Sequence, residues 1–525
     1  MENIFSTKIF RSIFLIAFTF FFLNCSAQQF IYSAPVGNYA YSDTKIIGRV
    51  KNNIIIYNYT WSHTFDLRNS ELLVYNDKMQ LQNRTSFKSI TPKIAAVDFI
   101  REKDLFSAIL QYRENGFLVC KLVNFDADGN MLSEKIIEHS PDKTEGNYEN
   151  IKSTIEGSMV LVKIEPSDIA GTIAIRYHFI KNGSLIHSDK IILPFNTLYS
   201  ELGKALLDND NLIIPKQDST QTGERLALYK VNLNNNASIN TLRNLDKGYL
   251  FMPGINIIKN DKYYTVISEW KDSNQNFYGI DKFFLWQLNN DFTDKSTDTV
   301  LAGIDTINSC LQNINFYKLN SIALKNNTSN IIISAEYMMN QQASFSFSPS
   351  GGFPASTESF YEGRVLSITP LKELNGNGYY SEANVTRGPT DNSKGNTISN
   401  PQQAKFNSQP AKLAVLNIDA QSKLRWTQCF SELTEKDFFS LTYESLFINT
   451  QNTLHIIYAE SVKKNKQALH DIILNPDGTY TTKPIISMNL KYTYFLNQSF
   501  QLDSNSAIVP CNIKGKQAFA KLTVE

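Results

Sequence analysis

The chain has 525 residues, 42% hydrophobic and 12% aromatic, enough apolar material for a large core. Its formal net charge is +1, and the nearest approach to a basic block is Lys463, Lys464 and Lys466. The concentrated basic footprint of a nucleic-acid binder is therefore absent.

In chain order, the first pattern is a leader. Lys8 and Arg11 precede an apolar run from Ile13 to Leu23, and Cys25-Ser26-Ala27 ends on a small residue before Gln28. That is the layout of a secretory signal cleaved after Ala27. No later run approaches the ~20 apolar residues of a spanning helix. The expected division is a signal peptide over 1–27 and a mature domain over 28–525. The alternative is a lipid anchor on Cys25, although Asn24 stands where a lipoprotein box has a small residue. The remaining cysteines, Cys120, Cys310, Cys429 and Cys511, are widely spaced and read as buried small hydrophobes.

A short phrase then recurs. An alternating apolar run ends in a large apolar residue, Asn or Asp usually follows, and a turn leads into another strand. It appears in LLVYNDKMQL, KLVNFDADGNML, IRYHFIKNGSLI, LYKVNLNNNASI, FFLWQLNNDF, AVLNIDAQSKL and DIILNPDGTY. The last apolar residues are Tyr75, Phe125, Phe179, Leu233, Leu288, Ile418 and Leu474, at spacings of 50, 54, 54, 55, 130 and 56. An upstream strand also recurs eight times: NIIIYNY, LFSAILQY, SMVLVKIE, NLIIPKQD, YYTVISEW, NIIISAEY, LHIIYAES and SAIVPCNI. With a weaker strand before each, the unit is four antiparallel strands, the content of one propeller blade. The last unit shows only three strands, and QQFIYSAP lies unpaired at the mature N-terminus. Joining them closes the ring and removes open edges.

The fold class is thus all-β: one closed propeller, with eight four-stranded blades expected and nine or seven as alternatives. Residues 341–410 carry 41 Ser, Thr, Asn, Gln, Gly or Pro out of 70 and read as a long loop inserted in the sixth blade. A rival reading makes a ninth blade from SFSFSPSGG, RVLSITPL and GYYSEANV. These repeats resemble the β-propeller superfamily of secreted bacterial proteins. The resemblance covers nearly all of the mature chain and implies architecture, with no single activity. It suits a Gram-negative envelope location: periplasm, outer-membrane surface or secreted.

Candidate chemistry is sparse. Glu269, Glu336 and Glu460 end the second strands of three blades, where a propeller mouth opens, with Trp270 and Tyr337 beside two of them. Carboxylates with aromatic platforms suit a sugar or cationic ligand. The competing reading is a repeat residue with a structural partner. Phe353 and Tyr361, in the 341–410 insertion, are candidate partner anchors. His178 and His187 flank Asn182-Gly183. A two-residue hairpin there sets His178 opposite His187 and Arg176 opposite Asp189, and Arg176 argues against a metal. Asp126-Ala-Asp128-Gly129-Asn130 reads as a hairpin turn, not a calcium loop. No Gly-x-Ser-x-Gly elbow, His-Glu-x-x-His helix or phosphate loop occurs. No cofactor and no metal are expected. The reading is a non-catalytic recognition or scaffold propeller with a protein or glycan partner. The alternative is a carbohydrate-active enzyme, glycosidase or lyase, with carboxylates at the mouth.

Overall fold

The computed structural model describes residues 28–38, 42–61, 67–86, 96–141, 148–153, 157–196, 199–220, 223–245, 248–250, 255–259, 263–272, 282–301, 317–323, 331–337, 372–374, 378–385, 413–419, 423–430, 446–450, 453–463, 466–485, 489 and 491–524. These residues form strands and one 3-10 turn, Leu496–Gln498. They make eight separate antiparallel sheets, each following the last along the chain.

The second sheet shows the plan. Ala96–Arg101, Leu105–Glu114, Phe117–Asp126 and Met131–Pro141 pair in sequence order. The second strand is buried along most of its length, whereas the fourth is mostly exposed. The first strands of neighbouring sheets lie side by side. Ser42–Val50 approaches Ala96–Arg101, and Ser153 and Leu207 form a parallel bridge between the third and fourth sheets. First strands thus gather inside and fourth strands outside, the arrangement of propeller blades. In the fourth sheet the inner strand is split into Ser200–Leu202 and Leu206–Asp208. In the fifth it is split into Gly248–Leu250 and Asn256–Lys259.

The core lies between sheets, because strands buried on both faces send alternate side chains to opposite neighbours. Tyr57, Val74, Phe106 and Phe125 join the first and second sheets. Val160, Phe179, Leu212 and Val231 join the third and fourth. Ile457, Leu469, Val509 and Ala518 join the seventh and eighth. Ile54, Leu73, Tyr75, Ile508 and Phe519 pack the eighth sheet against the first.

The expected pairing of the two ends is present. Gln29–Tyr32 runs antiparallel to Lys516–Thr523, from Gln29↔Thr523 to Tyr32↔Ala520. Ser33 extends it, donating its N–H to Phe519 O at 2.8 Å and accepting the Phe519 N–H at 3.0 Å. Phe30 joins the apolar cluster between the seventh and eighth sheets. Tyr32 stacks on Tyr492 at 4.6 Å, and its hydroxyl meets that of Tyr494 at 2.7 Å.

The recurring phrase has a physical reason. Its turn joins the third and fourth strands, and the turn's carbonyls are received by the preceding sheet. Asn83 Nδ2 donates to Asp128 O at 2.7 Å, and Thr85 Oγ1 to Gly129 O at 2.8 Å. Asn124 Nδ2 donates to Gly183 O at 3.0 Å, and Thr241 Oγ1 to Phe292 O at 2.7 Å. Trp426 Nε1 reaches Pro476 O at 2.9 Å, and Gln428 Nε2 reaches Gly478 O at 2.8 Å. Strand residues of the preceding sheet thereby receive the turn's backbone carbonyls and tie neighbouring sheets together. Gly478 has φ +87°, and a Cβ there would lie 2.8 Å from Trp426 Cγ, so the indole lies directly on the turn.

The sixth sheet departs from the plan. Tyr317–Ala323, Ile331–Tyr337, Leu413–Ile418 and Leu424–Phe430 form its four expected strands. The 341–410 insertion enters between the second and third of these. Its described part is a hairpin, Lys372–Leu374 with Gly378–Val385, which pairs onto the free side of Tyr317–Ala323. GYYSEANV is therefore a strand, as the nine-blade alternative supposed, but it widens the sixth sheet instead of founding another. The hairpin lies among inner strands, close to Asn256–Lys259 and Phe500–Asp503.

Candidate functional site

The mouth positions read from the sequence lie on the second strands of three consecutive sheets. Glu269 and Trp270 are in Tyr263–Asp272, Glu336 and Tyr337 in Ile331–Tyr337, and Glu460 in Leu454–Lys463. Glu269 is opposite Phe283, Glu460 opposite Ala468, and Glu336 lies between Lys318 and Leu413. Their side chains, and all of Phe353 and Tyr361, lie outside the described residues.

The same repeat position is occupied by glutamine in the second and fourth sheets. Gln111 and Gln217 are the seventh residues of their second strands, as Glu269 and Glu460 are of theirs. Gln111 is fully buried and holds Tyr148 of the next sheet by two bonds, Nε2 to Tyr148 O at 2.9 Å and Oε1 from Tyr148 N at 2.7 Å. Gln217 Oε1 accepts the Leu250 N–H at 3.1 Å. Gln501 holds Asn449 of the seventh sheet at 3.0 Å on both amide atoms. A primary amide matches the donor and acceptor of one peptide unit without burying a charge. Where glutamine holds this position, in the second and fourth sheets, it serves the seam.

Charged groups serve seams as well. Asp98, on the inner strand of the second sheet, meets Lys45 of the first at 2.6 Å and Lys152 of the third at 3.0 Å. Burial pushes its carboxyl up, but Lys152 and Lys45 outweigh it and hold the group well below the usual carboxylate range. Asp208 receives Lys259 Nζ at 2.9 and 2.7 Å and the Tyr264 hydroxyl, joining the fourth sheet to the fifth. Asp77 meets Arg49 at 2.7 Å and Lys521 of the eighth sheet at 2.9 Å. His178 contacts Glu138 of the second sheet at 3.1 Å through Nε2 and Ser188 Oγ at 2.8 Å through Nδ1. Hydrogen bonding with His178 brings the Glu138 carboxyl down to about 2.

The expected histidine register is corrected. A bulge between Phe179 and Ile180 shifts the hairpin by one residue, so His178 faces Ser188, Phe179 faces His187 and Arg176 faces Lys190. His178 is buried against the second sheet, while His187 pairs with Asp189 at 3.7 Å on the opposite face. Asp126 forms the turn foreseen for it, its Oδ1 accepting the N–H groups of Asp128 and Asn130 at 2.9 and 2.8 Å. Among the described residues no group of three His, Cys, Asp or Glu is placed to hold a metal ion. Cys120 and Cys511 are buried free thiols, and burial pushes Cys120 up to about 12. Cys429 departs from the cysteine expectation: it is exposed and disulfide-bonded.

Two carboxyls that the sequence pattern missed stand at the starts of inner strands. Burial pushes Glu149, in Glu149–Lys152, up to about 7. Burial, with Glu224 nearby, raises Glu201 in Ser200–Leu202. No local motif marks either one. Their position at the head of a first strand is the only signal available.

No family model matches this chain, and no curated protein matches it. Solved structures align with this chain at very low identity. A structure from a study of two prolyl endopeptidases aligns with a TM-score of 0.38 and 8% identity over 91% of this chain and 55% of that one. This chain therefore spans about half the length of that protein. The β-propeller domain of the Trilobed protease from Pyrococcus furiosus aligns at 0.39 and 6%, covering 87% and 98%. The Nup133 β-propeller domain from Vanderwaltozyma polyspora aligns at 0.37 and 8%, covering 92% and 100%.

Proposed function

We propose that the protein is a closed, eight-bladed, non-catalytic propeller that presents a recognition surface to a protein or glycan partner in the bacterial envelope. One observation carries this reading. Among the described residues, four polar clusters are engaged in joining neighbouring sheets: Asp98, Asp208, Glu138 with His178, and Asp77. Groups committed to seams make a rigid frame, and recognition then falls to what the frame displays. Packing of the eighth sheet on the first supports closure, and the disulfide at Cys429 supports an oxidising compartment.

The 341–410 insertion is the displayed element. Its described hairpin reaches the inner strands, and the segment carries Phe353 and Tyr361 among other aromatics. Replacing 341–410 with a short Gly-Ser link tests this. The variant loses the hairpin paired with Tyr317–Ala323, so it should still unfold in one transition at a lowered melting temperature, and it should lose the native partner in an envelope pull-down. Retention of every partner would reject the insertion as the recognition element.

A second reading has its own observation. A carboxyl titrating near 7, as Glu149 does, is what the acid of a glycosidase requires. Glu149 thus joins the mouth glutamates as a candidate acid for the carbohydrate-active alternative, and turnover of a glycan panel separates the two functions.

A further inference from the structure

The seam between the seventh and eighth sheets contains a buried carboxylate with one unsatisfied oxygen. Asp471 lies on Lys466–Leu474, the third strand of the seventh sheet, and is fully buried. Its Oδ2 meets His455 Nδ1 at 2.7 Å, and His455 Nε2 meets Thr453 Oγ1 at 3.1 Å. The same Oδ2 accepts the side-chain amide of Gln28, which immediately precedes the N-terminal strand. Asp471 Oδ1 has no hydrogen-bond partner among the described residues. A buried carboxylate oxygen without a donor is costly, so the site calls for one more donor, best a cationic one.

Gln28 is where that donor can arise. In a precursor its nitrogen is a peptide amide. After cleavage following Ala27 it is an α-ammonium with three donors, on the residue whose side-chain amide already reaches Asp471. We infer that Asp471 is the seat of the mature N-terminus: the freed ammonium of Gln28 pairs with this buried carboxylate and locks the N-terminal strand across the last seam. The inference rests on the export reading for its cleavage point. It also requires Gln28 to remain uncyclised. Pyroglutamate forms when the α-amine attacks the side-chain carbonyl carbon and ammonia leaves, which removes both the ammonium and the amide that holds Asp471.

The test sets the N-terminus in vitro, independently of export. A removable fusion is cut to leave the full mature chain starting at Gln28, and a second chain starts one residue earlier, at Ala27. Each is prepared with Asp471 and with Asp471→Asn. The Gln28 chain should melt at least about 3 °C above the Ala27 chain. That difference should vanish in the Asp471→Asn pair, as a double-mutant cycle requires of a direct interaction. If Asp471→Asn fails to fold, acylation of the α-amine at neutral pH replaces the cycle, and the Gln28 chain should react at least about tenfold more slowly. Equal melting temperatures, a difference that survives Asp471→Asn, or equal acylation rates would each overturn the inference. Complete cyclisation of Gln28 with an unchanged melting temperature would also overturn it. Intact mass of protein from the native envelope reads the cleavage point separately, so a different natural N-terminus would defeat the export reading and leave the in vitro result standing.

Discussion

The amide clasps and the charged clusters both join neighbouring sheets, yet they do so at different physical cost. Gln111 and Gln501 each satisfy a donor and an acceptor of one backbone unit, with no ion to desolvate. Asp98 and Asp208 bury a charge and require cations from adjacent sheets to offset it. The clasp is self-contained and can repeat along the chain. The charged cluster works only when two or three particular sheets are in place, so it reports on the assembled structure. Removing a cluster should therefore cost more than removing a clasp, and removing a strand should cost most.

Deleting residues 28–37 removes the strand paired with Lys516–Thr523 and uncovers the seam around Phe30. The expected loss is about 5 kcal/mol or more, a large share of the ~5–15 kcal/mol typical of a domain. Chemical denaturation of the truncated chain reads it. Asp98→Asn leaves two lysines facing each other across the inner strands and should cost about 3 kcal/mol. The loss should shrink in Asp98→Asn combined with Lys152→Met, which separates charge imbalance from lost packing. Gln111→Ala should cost about 2 kcal/mol through two lost hydrogen bonds to Tyr148. A Gln111→Ala loss equal to that of Asp98→Asn would erase the distinction between clasp and cluster.

Glu149 supplies a pH-dependent contrast. Its folded pKa, about 7, is raised above the ordinary carboxylate value of 4.5. The folded state therefore binds the proton more tightly. The stability this confers is fully present below about 4.5 and is lost as pH rises towards 7 and beyond. Glu149→Gln should flatten that decline, adding about 2 kcal/mol at pH 8 relative to pH 5. Urea unfolding at the two pH values measures it. At Gly478 alanine must adopt positive φ and press its Cβ on the Trp426 ring, and it should cost at least about 1 kcal/mol.

The sheets were legible because a strand period writes itself locally, and the turn after Tyr75, Phe125 or Leu474 carries its own Asn, Asp and Gly. The pairing of QQFIYSAP with the last strands was legible because an incomplete final unit demands a partner. The register around Asn182-Gly183 was not, since a bulge at Phe179 leaves no composition signal. Asp98 was invisible because its partners lie 53 and 54 residues away on other sheets. Glu269 and Glu460 were legible as a repeat position, and Gln111 and Gln217 hold the same place in the second and fourth sheets. The hairpin within 341–410 was obscured by polar, Gly-rich composition that reads as loop.

The central claim is that this is a frame for recognition and not a catalyst. It is tested most directly by incubating the mature protein with a broad panel of envelope glycans and following bond cleavage, alongside Glu149→Gln. The account predicts no turnover above the level of the variant. Turnover by the native protein that Glu149→Gln abolishes, while its melting transition is retained, would contradict it and assign the protein to the carbohydrate-active class.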